Sequence, residues 1–337
     1  RDGAGQAGCR RCAGDRLEFA MSVLAGIDIG TLTCRLLIGR VERGGRLTEL
    51  SGDRRILRLG EGVDRSRRLT PTAITRVVDT LKSWRQVVEA YRTDYVVVVA
   101  TSAVRDAANR EELLTRIRHE TGWPVEIITG EEEARRTLLG IRAGLPDLRG
   151  ELLCLDIGGG STEVIFDRPG MPPGIQSLEL GVVRLTERSL HGDPPTNEEV
   201  RRARRQVRRL VGQVRHNLGN PSTPTCVGTA GTLTTLAAMA QQLPTYDRER
   251  VHGYRVTLDT VRHLEAEVLR RTSAQRKELP GLEPGREVLI VAGILILHGV
   301  MDAFGLTTCV VSEYGLREGV LIDLAHKLTT SDARARG

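Results

Sequence analysis

Leu152-Leu-Cys-Leu-Asp-Ile-Gly158, Gly159-Gly-Ser-Thr162 and Glu163-Val-Ile-Phe166 read as strand, turn and strand, an apolar hairpin whose turn is made of glycine and hydroxyl residues. The same arrangement stands earlier in the chain, where Leu24-Ala-Gly-Ile-Asp-Ile-Gly30 is followed by Thr31-Leu-Thr33 and then Cys34-Arg-Leu-Leu-Ile-Gly-Arg-Val41. The shared core is D-I-G, at Asp28 and Asp156. Two copies this far apart exclude a short-period solenoid and imply a duplicated βββαβα unit, with two similar domains facing one another.

Helices and further strands fill both halves in compatible order. Thr70 is placed to cap a helix opening at Pro71 and running to about Arg92, followed by a parallel-type strand from Tyr95 to Ala100. In the second half Thr196 and Glu199 fit a capping box before an Arg-rich helix, and a strand from Pro224 to Val227 precedes Gly228-Thr-Ala-Gly-Thr232. The pattern predicts an α/β protein with mixed sheets flanked by helices and a cleft between its two domains. The boundary is expected between Gly144 and Gly150, giving a first domain at 21–145, rejoined by a C-terminal helix at 316–328, and a second at 146–315. Residues 1–20, Gly- and Arg-rich without periodicity, are expected to form a disordered extension, with Met21 a natural start.

With 337 residues and 40% hydrophobic content the chain can bury a substantial core. Its 49 basic against 43 acidic side chains, a net charge of +6, suit an anionic partner. Aromatic residues are only 3%, too few to stack unpaired bases, so nucleic acid is excluded as a partner. The longest apolar stretch, Val288 to Leu297, is about half the roughly 20 residues of a membrane span, so no membrane is expected. The scattered cysteines, Cys34, Cys154, Cys226 and Cys309 among them, suit a reducing cytoplasm, and the Cys9–Cys12 pair has no second pair at zinc spacing.

Asp156-Ile-Gly-Gly-Gly-Ser-Thr-Glu163 carries the chemistry. Gly158, Gly159 and Gly160 let backbone N–H groups approach phosphate oxygens, and Ser161 and Thr162 add hydroxyl donors. The flanking Asp156 and Glu163 repel a bare polyanion and make best sense holding Mg²⁺, with Mn²⁺ the alternative, directly or through its water shell. Asp28, Gly30, Thr31 and Thr33 form the matching loop of the first half. Gly228, Thr229, Ala230, Gly231 and Thr232 lie between a strand and a helix, where free N–H groups and the helix dipole favour an anion; taken alone, such a turn is more often an ordinary connection. Glu131, Glu132 and Glu133 followed by Arg135 and Arg136 have the form of a normal helix N-terminus, and Arg105 that of a surface arginine beside Asp106 or Glu111. Arg201, Arg202, Arg204, Arg205, Arg208, Arg209 and Arg215 read as a solvated basic face, and His252-Gly253 as a loop.

In combination these segments resemble the actin, Hsp70 and sugar kinase superfamily, and within it the exopolyphosphatase and guanosine pentaphosphate phosphohydrolase family, over essentially Leu24 to Lys327. The likeness also includes Ala100-Thr-Ser-Ala-Val-Arg105, Ile127-Ile-Thr-Gly-Glu-Glu-Glu-Ala-Arg135, Pro280-Gly-Leu and Leu316-Arg-Glu-Gly-Val320. It implies two actin-like (ribonuclease H-like) domains and Mg²⁺-dependent release of orthophosphate from inorganic polyphosphate. Guanosine pentaphosphate is the alternative substrate, and a non-catalytic sensor of either ligand the alternative role. The resemblance assigns Glu133, with Glu132 as fallback, as the base that positions water, and Arg105 as a phosphate-gripping guanidinium. A homodimer is a family-level expectation.

This chain departs from the family pattern in two places. The first loop, usually D-x-G-S-N-S, is Asp28-Ile-Gly-Thr-Leu-Thr33, so Leu32 replaces an amide; S-D-x-x-L-R-E-G becomes Ser312-Glu-Tyr-Gly-Leu-Arg-Glu-Gly319. The chain also corresponds to the short, two-domain form, which favours short-chain polyphosphate.

Overall fold

The computed structural model describes residues 22–42, 46–219 and 224–334; the expected extension at 1–20, with its cysteine pair and Met21, lies outside them. The first hairpin pairs β1 (Leu24–Ile29) antiparallel with β2 (Thr33–Val41), and β3 (Leu47–Ile56) extends it. On the other side of β1 run β4 (Tyr95–Ala100) and β5 (Val125–Ile127), both parallel, giving the order β3-β2-β1-β4-β5. The second hairpin, β6 (Leu152–Ile157) with β7 (Thr162–Asp167), is extended by β8 (Gly174–Leu178) and flanked by parallel β9 (Thr225–Thr229) and β11 (Thr308–Val311). Its order, β8-β7-β6-β9-β11, repeats the first, with antiparallel β10 (Arg255–Thr257) added at the edge. The expected α/β architecture of two mixed sheets is observed. The outer strands β3 and β8, only partly buried, carry no apolar run to announce them.

Both central strands are buried on both faces, which explains their near-continuous apolar sequence. Ala25, Ile27 and Ile29 face a core shared with helix Pro71–Ala90, contributing Ile74, Val77 and Trp84. That helix starts as expected, the Ala73 N–H donating to the Thr70 hydroxyl (3.2 Å), and ends at Ala90. Leu24 on the opposite face meets Leu321, Ile322 and Ala325 of helix Leu316–Arg334. The Arg-rich helix Asn197–Leu218 keeps its expected capping box and buries Val200, Ala203, Val207, Val211 and Val214 against helix Ile290–Phe304, leaving its arginines to solvent.

Helix Gly130–Gly144 lies between the two sheets. Ala134 and Ile141 pack on Leu152, Cys154, Ile165 and Val227 of the second sheet, while Leu139 and Ala143 join Leu321 and Ile322 on the first. Two glycines set its approach to helix Leu316–Arg334: a methyl at Gly319 would lie 1.7 Å from the Arg136 carbonyl oxygen, and one at Gly140 would lie 2.0 Å from that of Gly315. The buried Arg136 guanidinium pairs with Glu126 (2.7 Å) and Asp323 (3.2 Å) at this crossing. Because the obstruction is backbone, Gly319→Ala should lower unfolding free energy by about 3 kcal/mol in urea melts. Gly212→Ala, in a helix position where nothing lies within 4 Å, should instead stabilise by roughly 0.5–1 kcal/mol; equal effects would contradict the glycine crossing.

Candidate active site

The two hairpin turns face each other with identical local bonding. The Gly30 N–H donates to the Thr33 carbonyl and the Gly158 N–H to the Ser161 carbonyl, each at 3.0 Å. The loops interlock: a methyl on Gly159 would meet Thr31 Cβ at 2.9 Å, and one on Gly160 would meet Ser102 Oγ at 2.4 Å. Between them lies a cavity of about 60 Å³, lined by Asp28, Gly30, Thr31, Thr33, Glu133, Asp156 and the 158–161 loop, with Ala230 and Gly231 at its wall. A 380 Å³ cavity adjoins it, sharing Arg35 and Ala230 and reaching Arg54, Tyr246, Arg248 and Arg317. Ala230 holds a left-handed backbone (φ 68) at this shared wall.

The other expected phosphate residues are used differently. Thr162 is fully buried and its hydroxyl donates to the Leu180 carbonyl. Thr232 donates to Ile157 (3.2 Å) and Thr229 to Tyr314 (3.1 Å), and Gly228 is packed against Leu233 and Cys309. These four brace the loops from behind rather than line the cavity. His252 is also structural, its Nδ1 accepting from the Glu313 N–H (3.2 Å) and its Nε2 bonded to the Gly144 carbonyl (2.9 Å).

Three carboxylates, Asp28, Glu133 and Asp156, line the cavity, and a fourth, Glu163, is buried beside them. Asp28 is 8% exposed, Glu133 and Asp156 7%, and Glu163 wholly buried. Asp28 and Asp156 end equivalent strands, and Glu133 stands in the first turn of helix Gly130–Gly144. Glu132 takes the reciprocal capping bond with Thr129, so of the neighbouring acids it is Glu133 that lines the cleft. Arg105, one turn after β4, donates to the Ile128 carbonyl (2.8 Å) and lies 3.4 Å from the Glu133 carboxylate. Glu163 sits behind the loop, with Oε1 accepting from Ser177 Oγ at 2.7 Å.

Burial raises all four. It lifts Asp28 to about 7 against the pull of Arg35, and Glu163 to about 8 with help from the Asp156 charge. Burial, then the charges of Glu163 and Asp156, holds Glu133 well above the usual carboxylate range; Arg105 opposes them. Asp156 is raised by burial and restrained by Arg35 and by the Thr137 hydroxyl (3.2 Å). Asp28 Oδ1 and Glu163 Oε2 are buried without a hydrogen-bond partner. A cation fits these unpaired oxygens. Among the described residues no three His, Cys, Asp or Glu side chains are grouped for direct chelation; Asp156 and Glu163, with Asp28, are the carboxylates that could hold an ion such as Mg²⁺ through its water shell.

Two residues of the site escaped the sequence reading. Arg35 pairs in register with Asp28 across the first hairpin, and a charged residue in that apolar strand was the available signal. Arg286 is buried, and a methyl on Gly231 would fall 2.0 Å from its Nη2; nothing local in the sequence marks it. Leu32, in the position of the family's amide, is buried and joins the hydrophobic core of the second half across the cleft.

The sequence model of the Ppx/GppA phosphatase family matches residues 37–328, and the chain belongs to that family. It is 34% identical to exopolyphosphatase 2 of Mycobacterium tuberculosis over 91% of this chain and 100% of that protein. A crystal structure of the Aquifex aeolicus member of the Ppx/GppA family superposes with a TM-score of 0.78 at 34% identity, covering 91% of this chain and 98% of that one. An exopolyphosphatase from Cytophaga hutchinsonii superposes at 0.83 with 28% identity, covering 91% and 98%. The fold is therefore that of the actin-like proteins of this family.

Raised carboxylates stabilise the folded state fully only below their unfolded values near pH 4, and that stability is lost as pH rises through about 7 to 8. A bound cation removes the penalty. Thermal unfolding should therefore show Mg²⁺ raising Tm by more at about pH 8.5 than at about pH 6; a pH-independent gain would place the ion elsewhere.

Proposed function

We propose that this member of the phosphatase family is an exopolyphosphatase, releasing orthophosphate from the ends of inorganic polyphosphate, with short chains preferred. The observation that carries the reading is the buried Glu133 carboxylate, braced by Arg105 and facing two interlocked glycine loops across a cavity sized for a terminal phosphate rather than a polymer. The 34% identical exopolyphosphatase 2 supports the same substrate. We take 21–145 with 316–328 as one domain and 146–315 as the other, hinged about the bound anion. No described helix is long and apolar enough to cross a membrane, and the buried free thiols of Cys34, Cys154, Cys226 and Cys309 suit a cytoplasmic protein.

The terminal phosphate is held by backbone N–H groups of Thr31 and of Gly159 to Ser161, those of Gly30 and Gly158 being used within their turns, with guanidinium charge from Arg35 and Arg286 at the wall and from Arg105 beside Glu133. Glu133 orients a water molecule and accepts its proton as the new P–O bond forms and the bridging P–O bond breaks; the departing chain keeps the bridging oxygen and its charge. Mg²⁺, held by Asp156 and Glu163, would neutralise charge on the phosphate oxygens. Arg105 opposes the rise that burial and the neighbouring acids impose on the Glu133 carboxylate and fixes its direction.

Phosphate release with Mg²⁺ across polyphosphate lengths, and with guanosine pentaphosphate, tests this. Glu133→Gln should lower kcat by about 10² to 10⁴-fold with binding retained. Binding without release, unchanged by Glu133→Ala, would instead identify a sensor, and faster turnover of guanosine pentaphosphate would reassign the substrate.

A further inference from the structure

Helix Val182–Ser189 touches the catalytic cavity only through Val182 and runs from there along the interface between the halves. It is built onto the back of the phosphate loop: the Val182 and Val183 N–H groups donate to the Gly158 and Gly159 carbonyls (3.0 and 2.8 Å). Gly181 permits this contact, since a methyl there would lie 2.3 Å from the Gly159 oxygen. From the first turn of the helix Arg184, 5% exposed, crosses to the other half. Its Nε donates to the Gly160 carbonyl (2.9 Å), Nη1 to Asp64 (2.6 Å) and Nη2 to Asp106 (2.5 Å). Arg188 adds two bonds to Asp64 (2.6 and 2.7 Å), and the Gly62 N–H donates to Glu187 (2.8 Å).

We propose that Arg184 is a positioning residue, a latch that fixes the phosphate loop relative to Arg105 and holds the cleft in its closed, reactive form. One planar guanidinium links the carbonyl of a phosphate-loop glycine to Asp106, the immediate neighbour of Arg105 on helix Ser102–Asp106. The fork fixes both distance and angle, which a flexible ammonium does not. Opening the cleft separates Arg184 from both carboxylates at once and leaves it Glu179, at 3.5 Å, and the Gly160 carbonyl, so the two short ion pairs favour closure. Arg184 does not line the catalytic cavity and acts only through the groups it holds.

The kinetic arm of the test rests on the exopolyphosphatase reading; the scattering arm does not. Arg184→Lys keeps the charge and loses the fork. Its kcat on short polyphosphate should fall about tenfold to a hundredfold with KM changed less than about threefold, and its radius of gyration by solution X-ray scattering should exceed wild type. Asp106→Asn should reproduce both effects and combine non-additively with Arg184→Lys. Should Arg184→Lys not fold, Asp106→Asn carries the test alone. A merely structural arginine would lower Tm while leaving kcat per folded molecule and the scattering profile unchanged; that result, or additive effects on kcat, would overturn the latch. If wild type releases no phosphate from polyphosphate, the scattering comparison still decides between latch and simple packing.

Discussion

Four carboxylates are buried where the two halves meet, and water reaches them little. Like charges in such surroundings are costly unless protonated or matched by cations. Arg35, Arg105 and Arg317 oppose the shifts, yet the carboxylates remain raised and two of their oxygens remain unpaired. The site is thus built with a deficit of positive charge. On the proposed reading, that deficit would let acidic walls belong to a pocket for a polyanion, since an ion entering with the phosphate would satisfy the walls and the ligand together. Without it, the same acids would repel the substrate.

The deficit also requires a rigid frame, because carboxylates free to move would swing into solvent. Asp28 and Asp156 are fixed by ending twin strands buried on both faces. Glu133 is fixed by a helix wedged between both sheets and tied to helix Leu316–Arg334 through glycine contacts that leave no room for a side chain. Leu32 adds apolar packing across the loops, where the related pattern has an amide. It exchanges a polar donor for hydrophobic contact between the halves, a change that favours the closed arrangement over an additional phosphate contact.

Much of this frame was legible in the sequence because it depends on local rules. The repeated D-I-G, Pro71 behind Thr70, and the Thr196–Glu199 box each specify geometry within a few residues. Glu133 was less legible: three consecutive glutamates at a helix start are chemically alike, and only tertiary placement commits Glu132 to the cap and Glu133 to the cleft. The third strand of each expected βββαβα unit, β3 and β8, was implied by the repeat but could not be located, because half-exposed outer strands carry polar residues on one face. Arg286 was illegible for another reason. It comes from a loop far from either hairpin and reaches the site only because Gly231 leaves space for a guanidinium. The hydroxyls of Thr162, Thr229 and Thr232 show the converse: a phosphate-loop composition overstates the ligand set, since part of it is spent holding the loop in shape.

The sizes of the two adjoining cavities bear on why a substrate would be cut at its end. The inner one, about 60 Å³, has room for a few waters or one phosphoryl group, and the interlocked loops bar a chain from passing through. The outer one, about 380 Å³, begins at Arg35 and Ala230 and continues along Arg54, Arg248 and Arg317. These arginines already pair with Glu49, Glu283, Glu313 and Glu318, so an anion there competes with internal partners and is held less firmly than the end inside. On the proposed reading, the gradient matters. A tightly confined terminus and a loosely held remainder let the shortened chain leave or advance after each cleavage, whereas a strongly basic outer groove would retain it.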